Sequence, residues 1–243
     1  MKNRLKGKAA LITGSSKGIG KGIAASFLDQ GASVILCARD NECLKQTTRE
    51  LQTRGEVVSI AGDLSIPADA KRIAEHALTT YENLSIVVNN ASVLGKRCLL
   101  DDMDIDTWDQ VLKINTSSLF YVTQPLIAHL KKRGDGSIIN VSSTVGRIGK
   151  PYWGPYAVSK FGLEGFTQVL AAELKPFGVR VNSVNPGATR TEMRANAYPE
   201  EDPLSLPTPE DIAEIFVYLA SDESKMSTGQ SFEARDYLPV QES

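Results

Sequence analysis

Six short apolar runs punctuate the chain: "AALIT" (9–13), "SVILC" (33–37), "VVSIA" (57–61), "SIVVN" (85–89), "SIINV" (137–141) and "VRVNSV" (179–184). None keeps up a polar/apolar alternation, which is the pattern of strands covered on both faces, as in a parallel sheet. Between the first two runs Ile19, Ile23, Phe27 and Leu28 recur at helical spacing, and Gly31 supplies a stop. That is a βαβ unit. Its repetition predicts an α/β fold, a doubly wound parallel sheet flanked by helices on both faces, with the ligand beyond the carboxyl ends of the strands.

At 243 residues the chain suits a single domain, 1–243, because sheets of this kind run to such lengths and no repeat, low-complexity tract or linker divides it. The irregular stretch is "TRTEMRANAYPEEDPLSLPTPED" (189–211), with Thr208, Pro209 and Asp211 reading as a capped helix start into "IAEIFVYLAS". Its part 189–208 follows a strand end and suits either a mobile substrate lid or a plain surface loop. Lys and Arg total 27 against 29 Asp and Glu, without blocks of like charge, which argues against nucleic-acid or membrane partners. Met1–Lys8 is basic, but the apolar run after it, Ala9–Ile12, is too short for a signal peptide or a spanning helix, so a cytoplasmic protein is expected. Cys37, Cys43 and Cys98 lack metal-type spacing and read as buried or idle thiols, and His76 and His129 as solvated or core histidines, so no metal site is expected.

"TGSSKGIG" (13–20) follows the first strand and opens the first helix, where glycines permit a tight turn and close backbone approach to a pyrophosphate. The glycines fall at 14, 18 and 20, which fits neither GxGxxG nor a P-loop. Near the end of the second strand come Ala38, Arg39 and Asp40. An arginine there suits a 2′-phosphate and an acid suits a ribose hydroxyl. Arg39, with Lys17 from the glycine loop, points to NADP(H), while Asp40 would serve as a ribose acid if the strand ended one residue later than Cys37.

In "YAVSK" (156–160) helical spacing puts Tyr156 and Lys160 on one face. A lysine cation near a phenol favours the phenolate and lowers its pKa, making proton exchange with an alcohol or carbonyl oxygen feasible. Ser143, just past "SIINV", stands at the sheet edge, where its hydroxyl is placed to bond a substrate oxygen or to cap a turn. Asn115 interrupts the apolar stripe of Trp108, Val111, Leu112, Leu119, Val122 and Leu126. A buried amide demands partners, either backbone or water, and one reading has it lock two helices.

Together TGxxxGIG, NNA, Asn115, Ser143, YxxxK and "NPG" resemble, in order and spacing over nearly the whole chain, the classical short-chain dehydrogenases/reductases. The resemblance implies a Rossmann-like fold and interconversion of a carbonyl and a secondary alcohol by hydride transfer. It makes Tyr156 the acid/base, has Ser143 rather than Ser142 hold the substrate oxygen, and has Lys160 also bind the nicotinamide ribose. Asn115 would anchor a water relaying protons to Lys160. Gly14, Ser16, Lys17 and Ile19 would contact the phosphates, Asp63 and Leu64 the adenine, and Asn90 the ribose, while Pro186, Gly187, Thr189 and Thr191 would embrace the nicotinamide. A homo-oligomer, tetramer or dimer, is also implied, with the Asn115 and Tyr156 helices between subunits.

Two departures stand out. "NNAS" puts Ser92 where glycine is usual, and "TGQSFEARDYLPV" lacks the frequent Asp-Gly-Gly after the last strand. Two other functions use the same residues. A 3-oxoacyl-thioester (acyl carrier protein) reductase would want basic surface near the cleft, for which Lys96, Arg97, Arg190 and Arg194 are dispersed sources. An NADP(H)-sensing regulatory protein would bind without turnover, against which the intact Ser/Tyr/Lys set argues.

Overall fold

The computed structural model describes residues 3–238. Residues 1–2 and 239–243, with the ends of the expected 1–243 domain and the Pro239–Val240 end of "TGQSFEARDYLPV", lie outside the described residues. The chain runs β1 (Ala9–Thr13), α1 (Gly18–Asp29), β2 (Ser33–Ala38), α2 (Asn41–Leu51), β3 (Val57–Ala61), α3 (Pro67–Thr80) and β4 (Leu84–Asn89). It continues with α4 (Ile105–Leu112), a π-helical turn (Lys113–Ser117), α5 (Ser118–Thr123), α6 (Ile127–Arg133), β5 (Ser137–Val141) and α7 (Gly154–Leu174). It closes with β6 (Arg180–Asn185), α8 (Glu192–Ala197), α9 (Glu214–Ala220) and β7 (Ser231–Glu233).

The described strands form one parallel sheet in the order β3-β2-β1-β4-β5-β6-β7. Along β2, Val34 and Leu36 face a core with Phe27 and Phe216, while Ile35 and Cys37 face a second core with Ile73, Val87 and Leu170. Both faces are thus covered, as the unbroken apolar runs require. Gly31 ends α1 in the left-handed region at φ +84. There Gly31 N donates to Leu28 O (2.9 Å) and Ala32 N to Phe27 O (3.0 Å), bonds that an L side chain at this φ would strain. Because β1 pairs with both β2 and β4, the winding reverses there and opens a crevice at the strands' carboxyl ends.

The run at 208 behaves differently from its reading. Thr208 N donates to Asp211 Oδ2 (2.7 Å) and Asp211 N to Thr208 Oγ1 (3.2 Å), so the capping box is present. Regular helix nevertheless begins only at Glu214. Pro209 lies directly on Gly22 of α1, where an added Cβ would meet it at 2.6 Å, and the chain follows that surface in turns before α9. The proline-rich 189–208 stretch is partly ordered too, into α8 and a 3₁₀ turn at Pro203–Ser205. Among the described residues no helix is long and apolar enough to cross a membrane.

Candidate active site

The β1–α1 loop is shaped by close approach. Gly14 has φ +63, and a Cβ there would meet Ala91 Cα at 2.7 Å; one on Gly20 would meet Gly14 O at 2.5 Å. Asn90, at the end of β4, fixes the turn: its Nδ2 donates to Thr13 O (2.9 Å) and Gly14 O (3.0 Å). Thr13 Oγ1 in turn accepts from the backbone of Asn90 and Ala91, both at 3.0 Å. Ser16 O accepts from Thr47 Oγ1 of α2 at 2.7 Å. With its carbonyls engaged, the loop turns its free face to the crevice, as a helix N-terminus receiving an anion must.

From this loop a cleft of about 1140 Å³ runs both ways, bounded by Arg39, Asp63 and Leu64 at one end and by Tyr156, Lys160 and Pro186 at the other. That volume holds a dinucleotide, since ligand clefts commonly span about 300–1,000 Å³. Arg39 is exposed just beyond β2, which does end one residue later than expected, at Ala38. Asp40 spends one oxygen on capping α2, accepting from Glu42 N and Cys43 N at 3.0 Å each. Asp63 Oδ1 accepts from Ser65 N at 2.9 Å, and Leu64 is buried. Lys17 is not free: it pairs across the cleft with Glu192 of α8.

At the other end α7 presents Tyr156 and Lys160, exposed by 8% and 2%. Lys160 Nζ donates to Val141 O at 2.7 Å and lies 5.5 Å from the Tyr156 ring centroid. Burial pushes the Tyr156 phenol up to about 12, which the nearby Ser143 hydroxyl only partly opposes. Burial likewise pulls Lys160 down to about 8, against the charge of Glu164 one turn on. Ser142 Oγ donates to Glu164, whereas Ser143 accepts only a long bond from Val145 N at 3.4 Å. Asn115, on the π turn, accepts from Val93 N (2.8 Å) and donates to Val93 O (2.9 Å) and Ser159 Oγ (3.1 Å). After β6, Gly187 takes φ +70 and Thr189 Oγ1 donates to Pro186 O at 3.3 Å. Thr191 caps α8 by accepting from Arg194 N at 3.2 Å.

Residues 8–202 match the family model described as short chain dehydrogenase. The chain belongs to the short-chain dehydrogenases/reductases. Among its relatives in this family, the uncharacterized oxidoreductase YciK of Escherichia coli strain K12 is 38% identical over 235 residues, 95% of this chain and 93% of that protein. The 3-oxoacyl-acyl-carrier-protein reductase FabG of Thermotoga maritima is 37% identical over 237 residues, 93% and 96% of the two chains. A short-chain dehydrogenase of Shigella flexneri solved in complex with NADP superposes with TM-score 0.93 at 38% identity, covering 97% of this chain and 100% of that one.

In this short-chain dehydrogenase/reductase Gly14, Ser16, Lys17, Ile19, Arg39, Asp63, Leu64, Asn90, Tyr156, Lys160, Pro186 and Thr191 line one cleft. Ser142 is on that lining, whereas Ser143, Asn115, Gly187 and Thr189 are not. One expectation changes. The phenol is raised rather than lowered, because burial dominates and Lys160 directs its ammonium to Val141 O. The Asn115 side chain bonds Val93 and Ser159 and so ties the chain after β4 to α7. Ser92 lines the cleft without a left-handed backbone, so glycine's freedom is not needed there. Sequence reading missed Cys43 and Glu192 on the lining. Cys43 was within reach, since a cap at Asp40 turns the third residue of α2 toward the glycine loop.

Proposed function

We propose that this chain is a cytosolic, NADP(H)-dependent oxidoreductase interconverting a small-molecule carbonyl and its secondary alcohol, with Tyr156 as the acid/base. The observation that carries the reading is one continuous cleft with an exposed arginine at one end and a buried Tyr–Lys pair at the other. The glycine loop suits a pyrophosphate, and Arg39 suits a 2′-phosphate as a bidentate fork. In this reading Asp63 and Leu64 face the adenine, Asn90 the ribose beside the loop it clamps, and Pro186, Gly187, Thr189 and Thr191 the nicotinamide. The NADP complex of the Shigella flexneri relative supports the same choice.

The bound nicotinamide supplies or accepts a hydride at the carbonyl carbon. The chain's residues manage the proton and the developing charge. Tyr156, a phenol at any working pH with its value up at about 12, donates its proton to the carbonyl oxygen. Ser143 bonds that oxygen. Lys160 carries a buried positive charge that stabilises the phenolate left behind. Asn115 positions α7 by gripping Ser159, between Tyr156 and Lys160. We also propose a homo-oligomer formed through the exposed apolar residues Phe120 of α5 and Val158, Phe161 and Val169 of α7.

The 3-oxoacyl-thioester reading has the FabG relative in its favour, but Arg190 and Arg194 make internal contacts rather than a basic surface. NADPH oxidation screened over ketones, quinones and 3-oxoacyl thioesters, with Arg39→Ala alongside, tests the proposal. Arg39→Ala should lower the NADPH/NADH preference by about ten- to a hundredfold, the worth of hydrogen bonds to a charged group. Equal use of NADH by the unaltered enzyme, or tight NADPH binding with no turnover of any carbonyl, overturns it.

A further inference from the structure

The end of the cleft beside Tyr156 is built from the chain after β4, from α7 and from the segment after β6 that leads into α8. Lys160, Arg190 and Glu192 are the charged residues of these segments that line it, and each is engaged. Lys160 is buried and donates to Val141 O at 2.7 Å. Arg190 donates to three backbone carbonyls of its own segment, those of Pro203 (2.8 Å), Leu204 (3.3 Å) and Leu206 (3.1 Å). Glu192 pairs with Lys17 of the glycine loop. Two further cations stand nearby but off the lining: Arg194 forks onto Glu201 at 2.6 and 2.7 Å, and Arg97 sits 4.8 Å from the Trp153 ring and 5.0 Å from that of Tyr198. Among the described residues, this end offers a charged group no free partner.

What it does offer is apolar. Val93, Leu94 and Met193 line the cleft and pack against the buried cluster that holds Tyr156. The first two belong to a fixed wall. Asn115 takes both backbone groups of Val93, accepting from its N at 2.8 Å and donating to its O at 2.9 Å, and the same amide holds Ser159 of α7 at 3.1 Å. Val93 and Leu94 are thereby set against the helix that carries Tyr156. Met193 stands on α8, a helix of six residues tied down by the exposed Lys17–Glu192 pair and by Arg194–Glu201. An unbranched thioether on so lightly held a support adapts its shape to an apolar neighbour. The polar side chains of this lining that carry no charge, Ser92 and Asn196 among them, leave the balance unaltered.

We propose that the substrate is an uncharged ketone whose apolar arm lies between the fixed wall of Val93 and Leu94 and the movable Met193, and that Met193 is the specificity-determining residue, setting how long an arm fits. The inference rests on the carbonyl-reductase reading above and supplies its substrate class. Burial of the arm drives binding, at about fourfold in affinity per methylene. A carboxylate in its place would leave water without gaining a partner.

The test follows NADPH oxidation with straight-chain methyl ketones of four to nine carbons, and with levulinate against its uncharged isostere, the methyl ketone in which an isopropyl group replaces the carboxylate. In the series kcat/KM should climb by about fourfold per methylene until the arm fills its space. The isostere should exceed levulinate by at least about tenfold, the scale of a buried charge left without a partner. Met193→Ala should raise the ratio of the nine-carbon to the five-carbon ketone by about tenfold, and Met193→Phe should lower it, since each changes the room at the end of the arm. A flat series, levulinate used as well as its isostere, or a Met193→Ala enzyme that slows every ketone alike overturns the proposal. A second readout needs no turnover: with NADP+ bound in place of NADPH, saturation-transfer NMR should detect the isostere on the protein and not levulinate, and Met193→Ala should strengthen the signal of the nine-carbon ketone relative to the five-carbon one. Failure to reduce any ketone, with this discrimination intact, overturns the reductase reading and leaves the apolar pocket standing. Binding of neither compound, or of both equally, overturns the pocket.

Discussion

On the β1–α1 side of the cleft the chain is fixed by backbone and buried amides, whereas across from it residues 189–208 are held by surface ions and stacked rings. Asn90, Thr13 and Thr47 satisfy the glycine loop with neutral hydrogen bonds, and a methyl group on Gly14 or Gly20 has nowhere to go. The opposite side relies on Lys17–Glu192, Arg194–Glu201 and the rings of Trp153 and Tyr198 around Arg97. The first construction suits a ligand part that is the same in every turnover, and the second one that enters and leaves. The exposed Lys17–Glu192 pair is worth little and rearranges readily, while a shape enforced by sterics does not.

The contrast can be broken at several strengths. The largest effect is expected where the two sides meet: Tyr156→Phe should lower kcat by about 10²–10⁴-fold, the usual worth of a general acid, while NADPH titrated by fluorescence still binds. Next, Gly14→Ala should destabilise the fold by about 2–3 kcal/mol, through a strained φ and overpacking, read in a denaturant midpoint. A smaller effect follows from Lys160, whose charge is complete below about 8 and lost above it. In the reductive direction kcat/KM should then fall about tenfold per pH unit above that value, with Glu164→Gln, which removes the charge favouring the ammonium, shifting the limb to lower pH. The unfolded chain keeps this proton up to the ordinary 10.5, so between about 8 and 10.5 the Lys160 contribution to stability rises with pH. Least of all, Glu192→Gln should leave the unfolding midpoint within about 0.5 kcal/mol, since both partners are about two-thirds exposed. By releasing Lys17 it should tighten NADPH about threefold in a binding titration.

Legibility in the sequence divides along the same line. The mainly apolar runs 9–13, 57–61 and 137–141 are strands to the residue, because a short run without polar alternation is the mark of a parallel strand. β7 escaped, being a half-exposed triplet, Ser231–Glu233, with no run to see. The π turn at Lys113–Ser117 shows in the sequence only as Asn115 interrupting an apolar stripe, which marks a buried amide and not a change of helix type. In the cleft, the positions of Tyr156, Lys160 and Arg39 followed from spacing and strand ends. The direction of the phenol's shift did not, since it depends on burial and on where Lys160 points. Arg97 looked like one of four scattered cations because its partners, Trp153 and Tyr198, are far away in the chain and meet it only after folding.

Asn90 reaches back 77 residues to shape the turn at Thr13 and Gly14. During synthesis, therefore, the glycine sequence emerges long before it has its form, and the cradle closes only when the fourth strand has docked beside the first. A fragment ending short of that strand would carry the fingerprint without the grip, and the growing chain has nothing with which to hold a nucleotide until its fourth strand is in place.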